Sequence, residues 1–335
     1  MGRLLILFFL LAPAQIMITS LLLPLTERDL PELNEFARLA REKKDVLFFG
    51  DSTAQTIGKK DDDRRYTVDM LSADIAPLSI QGITHPGYQA EVYLEFIKRL
   101  NGFATPPKII IVTVNMRSFS PSWDMNPHWQ FDELKILLRA TGWKFYFYRW
   151  LKVLQFDFST VSSQQMESSG VFDGAVRMGA FRDFMMREGR KKQVKKINTR
   201  NTLLTAYMGY IRADQRQLVA LKSIARLLPR SGITPIFYIT PVDYQIGESF
   251  FPKRFRERLE RNSAVIRGEL AAQGATVLDL TTALGTRAFA WRQVLYPNEH
   301  LNQEGRSFVA RQLYLRIMAE MRSRGASGLK TITLR

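Results

Sequence analysis

Four short runs dominated by consecutive apolar residues punctuate the chain at Val46–Phe49, Lys108–Val114, Thr234–Thr240 and Ala275–Leu280. Each has the length of a β-strand, and each reads as continuous rather than alternating, which is the signature of a strand covered on both faces. A weaker run lies at Ala76–Ile80. Helical spacing of apolar residues fills Pro31–Lys44, Glu91–Leu100, Asp214–Leu228, Arg254–Gln273 and Gln303–Met321. Strands alternating with amphipathic helices predict an α/β fold: a parallel sheet with helices on both faces, whose functional residues follow the carboxyl ends of strands. Residues 116–205 carry no run of the central-strand kind and read as a large insertion after the third strand.

Before this body, Leu4–Leu25 is an uncharged run of 22 residues, and about 20 suffice for a helix to cross a bilayer. Ala12-Pro13-Ala14 offers an A-x-A cleavage pattern, yet Gln15–Leu25 stays apolar beyond it, so residues 1–25 are expected to be an uncleaved signal anchor. Arg3 precedes the run, whereas Glu27, Asp29 and Glu32 follow it with only Arg28 between. The positive-inside bias then puts the N-terminus in the cytoplasm and residues 26–335, read as one domain, in the periplasm or exterior.

The absence of cysteine removes disulfides, cysteine–zinc sites and thiol nucleophiles, which leaves covalent chemistry to Ser, Thr, Lys or a carboxylate. No metal-ligand spacing is recognisable, and no metal or cofactor is expected; Asp61-Asp62-Asp63, flanked by Lys59, Lys60, Arg64 and Arg65, reads as a solvated turn. A formal charge of +16 predicts attraction to a polyanion, whether nucleic acid, anionic lipid or acidic glycan. Placement outside the cell leaves lipid and glycan as the expected partners and excludes nucleic acid. With three histidines, His85, His128 and His300, an imidazole base has three candidates. His85 beside Pro86, and His128 between Pro127 and Trp129, read as packed loop residues.

Gly50-Asp51-Ser52-Thr53 follows the first strand and places a serine on a strand-to-helix turn, where a hydroxyl is exposed and backbone N–H groups can face an oxyanion. It is neither G-x-S-x-G nor a phosphate loop, since position 54 is Ala and the Gly58-Lys59 spacing is wrong. A helix-capping serine is the bland alternative.

These residues resemble the first block of the SGNH (GDSL) hydrolase superfamily, whose three-layer flavodoxin-like fold the resemblance implies. Ser79-Ile80-Gln81-Gly82-Ile83-Thr84 is similar to the second block, with Gly82 at the oxyanion glycine. Thr113-Val114-Asn115-Met116 stands where the third block has its asparagine, without that block's Gly and Asp. Asn298-Glu299-His300-Leu301-Asn302-Gln303-Glu304-Gly305 resembles the fifth, with Pro297 where the family has its acid. The resemblance implies Ser52 as nucleophile, His300 as base, and an oxyanion hole from the Ser52 N–H, the Gly82 N–H and the Asn115 amide. Glu299 is one candidate for the carboxylate that orients His300; Asp279, ending the last strand, is the rival, and a backbone carbonyl is the third option.

Val114-Asn115-Met116-Arg117-Ser118-Phe119-Ser120-Pro121 with Trp123, and Thr240-Pro241-Val242-Asp243-Tyr244, resemble the membrane-anchored subset that includes alginate O-acetyltransferase-like proteins and the D-alanyl transfer protein of teichoic acid. That likeness implies a membrane-bound O-acyltransferase as partner and an acylated polysaccharide as substrate. The aromatic–cationic segment Trp143–Lys152 and the basic run Arg190–Lys196 are candidate membrane or glycan contacts. The expected function is a serine esterase or O-acyltransferase. The alternatives are a lipid esterase and a non-catalytic assembly or glycan-binding protein that retains the fold.

Overall fold

The computed structural model describes residues 11–14, 17, 31–103, 105–120, 131–139, 195–290 and 299–323. Five parallel strands form its centre: β1 (Val46–Gly50), β2 (Ile80–Thr84), β3 (Ile109–Val114), β4 (Thr234–Ile239) and β5 (Thr276–Asp279). Their order is β2-β1-β3-β4-β5. The chain steps from β1 outward to β2 and then returns to β3 on the other side of β1. The connections after β1 and β3 therefore part company, and a crevice opens between them at the carboxyl edge.

Alternation along the strands feeds two cores. Leu47, Phe49, Ile110, Val112, Phe237 and Ile239 face one layer of helices, whereas Val46, Phe48, Ile109, Ile111, Ile236 and Tyr238 face the other. The first layer holds α1 (Pro31–Arg41), α4 (Ala90–Lys98), α5 (Asp132–Arg139), α6 (Lys195–Tyr207), α7 (Arg216–Arg230) and α9 (Arg254–Ala271). The second holds α3 (Thr67–Asp74) and α10 (Gln303–Ser323). Two short helices, α2 (Ser52–Gln55) and α8 (Tyr244–Phe250), follow β1 and β4. This is the three-layer parallel arrangement the sequence predicts.

One strand is displaced from its expected place. Where the apolar pattern suggested Ala76–Ile80, β2 begins at Ile80, because Pro77 has no N–H for a ladder. Ser79 also bonds reciprocally with Asp45: its Oγ accepts from the Asp45 amide at 3.0 Å while its own amide donates to Asp45 Oδ2 at 3.0 Å. The ladder then starts with Val46 opposite Ile80.

The described ends of the expected insertion pack into the sheet's own core through Leu134, Leu138, Leu203, Leu204 and Tyr207. Trp123, His128, the segment Trp143–Lys152, Pro297 and all of Arg190–Lys196 except Lys195 and Lys196 lie outside the described residues. Of Leu4–Leu25, only Leu11–Ala14 and Met17 are described, so the expected anchor also falls outside. Among the described residues no helix is long and apolar enough to cross a membrane.

Candidate active site

At the end of β1 the chain turns without room for a side chain: a Cβ on Gly50 would lie 2.6 Å from the Phe48 ring and 3.0 Å from Thr84 Cγ2. Asp51 caps α2, its Oδ1 accepting from the Thr53 amide at 2.8 Å and the Thr53 hydroxyl at 2.6 Å. Capping therefore belongs to Asp51, which leaves Ser52 as the first helical residue with its hydroxyl at the crevice and its amide outside the helical ladder. Gln55 ties the same turn to β2 by donating to the Thr84 carbonyl at 2.9 Å.

His300 arrives from the other end of the chain. Its carbonyl accepts from the Ala290 amide at 2.7 Å, Leu301 bridges Phe289, and Asn302 donates to the Ala288 carbonyl at 3.1 Å before α10 begins. This extended pairing sets His300 Nε2 3.1 Å from Ser52 Oγ. Both residues are partly exposed, so solvent or a substrate can reach them. An imidazole at that distance can take the hydroxyl proton as the oxygen attacks an acyl carbon.

Asn115 lies just past β3, on the facing side of the crevice, and is buried. Its Oδ1 accepts from the Arg117 amide at 2.9 Å and its Nδ2 donates to Asp51 Oδ2 at 2.9 Å. That bond uses one of the two amide hydrogens. Asn115 thereby braces the carboxylate beside Ser52.

Gly82 does not come to the site. It sits within β2 opposite Phe48, two residues before the Gly50–Thr84 pair that ends the ladder, and a Cβ there would face Val68 on α3 at 3.2 Å. Two residues of strand are about 6–7 Å, so its amide lies below the carboxyl edge. The cause is the displaced β2; the glycine in the turn beyond that strand is Gly87, at φ 90°.

Neither carboxylate weighed as the orienting acid is aimed at the imidazole. Glu299 is fully buried, its Oε2 accepting from the Tyr207 hydroxyl at 2.8 Å and its Oε1 3.0 Å from the Arg117 guanidinium. Asp279 accepts from the Thr281 amide at 3.1 Å and pairs with Arg267 of α9 at 3.0 Å. Adjacent residues in extended chain point to opposite sides, which sends His300 to Ser52 and Glu299 inward. Burial, and then the negative charge of Glu299, push the Asp51 carboxyl above its usual range. Burial and the same carboxylate push the Tyr207 phenol well above its own, which keeps it a donor.

His85 packs against Tyr88 and Phe131, as expected of a loop histidine. The aspartate triplet differs from a solvated turn: Asp61 is buried against Arg306 at 2.6 Å, while Asp63 pairs with Arg65 at 2.6 Å. Sequence reasoning missed the parts of Arg117, quoted only within a stretch of resemblance, and of Tyr207, which belongs to no motif; both meet Glu299 only through the fold. It quoted Asp51 without giving it a role, although an acidic residue before a short helix is a readable cap signal.

No protein-family model and no curated protein matches this chain. Among solved structures it is similar to a lipase/acylhydrolase from Enterococcus faecalis, at 14% identity and a TM-score of 0.40, over 83% of this chain and 97% of that one. It is also similar to an acetylxylan esterase from Geobacillus stearothermophilus, at 12% identity and a TM-score of 0.40, over 88% and 98%. A GDSL-like lipase from Bacteroides thetaiotaomicron is similar at 10% identity and a TM-score of 0.37, over 87% and 96%.

Proposed function

We propose that this chain is a serine esterase or O-acyltransferase acting on acyl, chiefly acetyl, groups of a cell-envelope or exported polysaccharide. The observation that carries the reading is the 3.1 Å contact between Ser52 Oγ and His300 Nε2 at the edge of the crevice. Ser52 Oγ attacks the acyl carbon while His300 Nε2 takes its proton. The bond to the departing alcohol then breaks, and that alcohol carries the proton away. Water or a sugar hydroxyl attacks the acyl-serine and gives its proton to His300, which returns it to Ser52 Oγ as the acyl–serine bond breaks, so the identity of the second nucleophile decides between hydrolysis and transfer. The Ser52 amide and the second hydrogen of the Asn115 amide are the donors assigned to the oxyanion.

The polysaccharide, a membrane-bound O-acyltransferase partner and an anchor at residues 1–25 are proposed from the sequence resemblance and the apolar run. Incubation of the full chain with 4-nitrophenyl acetate tests the chemistry. Acetate is expected on Ser52 by mass spectrometry, and Ser52→Ala and His300→Gln are each expected to lower turnover by at least about a thousand-fold. Acetylation of another residue, or full turnover by Ser52→Ala, overturns the mechanism. A rate that rises with acyl chain length would favour the lipid-esterase reading.

A further inference from the structure

The loop that delivers His300 is held by a buried polar trio, an ion pair and a phenol, from three distant parts of the chain. Glu299 has no exposed surface; Arg117 follows β3 and has a side chain only 12% exposed; Tyr207 ends α6 and is 2% exposed. A buried carboxylate without a partner is strongly unfavourable, so Glu299 can occupy this place only while the guanidinium and the phenol face it. Tyr207 is itself fixed by its ring, packed edge-on against Phe255 of α9 with centroids 5.8 Å apart. Arg117 is fixed by the Asn115 side chain, which accepts from its amide. The same asparagine braces Asp51 beside Ser52. One continuous set of contacts therefore runs from α9 through Tyr207, Glu299 and Arg117 to Asn115 and the nucleophile turn, and the residue after Glu299 is the proposed base.

We propose that Arg117 and Tyr207 are positioning residues that, through Glu299, set the His300 ring opposite Ser52. This rests on the reading of Ser52 and His300 as the reacting pair. Movement of either partner shifts the peptide joining Glu299 to His300, and the Nε2–Oγ contact opens before the fold is lost.

The test uses the full chain labelled with [13C]histidine, whose ring spectrum contains three histidines; His300→Gln assigns the relevant signal. Ser52→Ala should displace the His300 ring signal. Tyr207→Phe keeps the ring on Phe255 and removes only the hydroxyl, and Glu299→Gln keeps the shape. Each should displace the same signal and make it insensitive to a further Ser52→Ala change. Turnover of 4-nitrophenyl acetate should fall three- to ten-fold in Tyr207→Phe and at least ten-fold in Glu299→Gln, in kcat with KM unchanged, and Arg117→Lys should fall between them. An unmoved His300 signal with wild-type kcat in all three, whatever happens to Tm, overturns the proposal and leaves the ester chemistry standing. A displaced signal in a protein that turns over no ester upholds the positioning and overturns the chemistry.

Discussion

Three glycines near the crevice play different parts, and substitution separates them. Gly82 lies within β2 with Val68 methyl groups nearby, so Gly82→Ala should leave kcat for an acetyl ester within two-fold of wild type. A ten-fold loss would return its amide to the oxyanion hole. Gly87 has φ 90°, where a side chain costs roughly 1 kcal/mol, so Gly87→Ala should lower the unfolding free energy by about that amount in urea titration. Gly50 is the tightest: a methyl group there meets the Phe48 ring at 2.6 Å, one residue from the Asp51 cap. Residue type is what made this neighbourhood readable from sequence. A serine after a buried strand and a histidine before a helix carry their chemistry in their names. The partners of Glu299 do not, because an arginine and a tyrosine are ordinary residues until tertiary packing removes them from water.

Helix α10 and the loop between α2 and α3 are joined by one side chain. Arg306 is fully buried, and it donates to Asp61 Oδ2 at 2.6 Å, to the Asp63 carbonyl at 2.6 Å, and to the Thr56 and Arg65 carbonyls at 3.0 Å each. The loop that follows Ser52 is thereby fastened to the helix that follows His300. Arg306→Met leaves Asp61 buried without its counter-charge and should cost about 3–5 kcal/mol at neutral pH. Burial works against ionisation of Asp61, but hydrogen bonds from the Arg306 guanidinium and from the Gly58 and Gln303 amides, together with the Arg306 charge, outweigh it and hold the carboxyl below its usual value of 3.8. A carboxyl lowered in the folded state stabilises above that usual value and loses the contribution as pH falls through the lower, folded one. The gap in Tm between wild type and Arg306→Met should therefore be widest near neutrality and narrow below pH 3.8; a gap that widens with acid would place the stabilisation elsewhere. At this scale helices α1, α4, α7, α9 and α10 and four strands were legible because each is a continuous apolar run or an amphipathic period. β2 was not: a five-residue edge strand beside Pro77 has too little hydrophobic signal, and its start is fixed by the non-local Asp45–Ser79 pair.

Across the whole molecule the alternation of strand and helix accounts for the parallel sheet, and the observed strand order explains why the serine and the asparagine face one another: they leave β1 and β3, where the connections diverge. The region after β3 was less legible, since the sequence between β3 and β4 carries no apolar run of the strand kind to mark α5 and α6 as part of the sheet's core, yet they bury Leu134, Leu138, Leu203 and Tyr207 there. If residues 1–25 anchor the chain, the full-length protein should sediment with membranes in high salt and be released only by detergent, whereas a chain beginning at Pro31 should remain in the supernatant. Recovery of the full chain in a salt wash would limit the association to its positive charge. Ser52 and His300, the proposed reacting pair, are 248 positions apart in sequence. A chain divided anywhere between residues 140 and 194 would leave one fragment with strands β1 to β3 and the hydroxyl, and another with β4, β5 and the imidazole. Each is inert alone, and ester cleavage on mixing would report that the two have zipped together along the seam between β3 and β4.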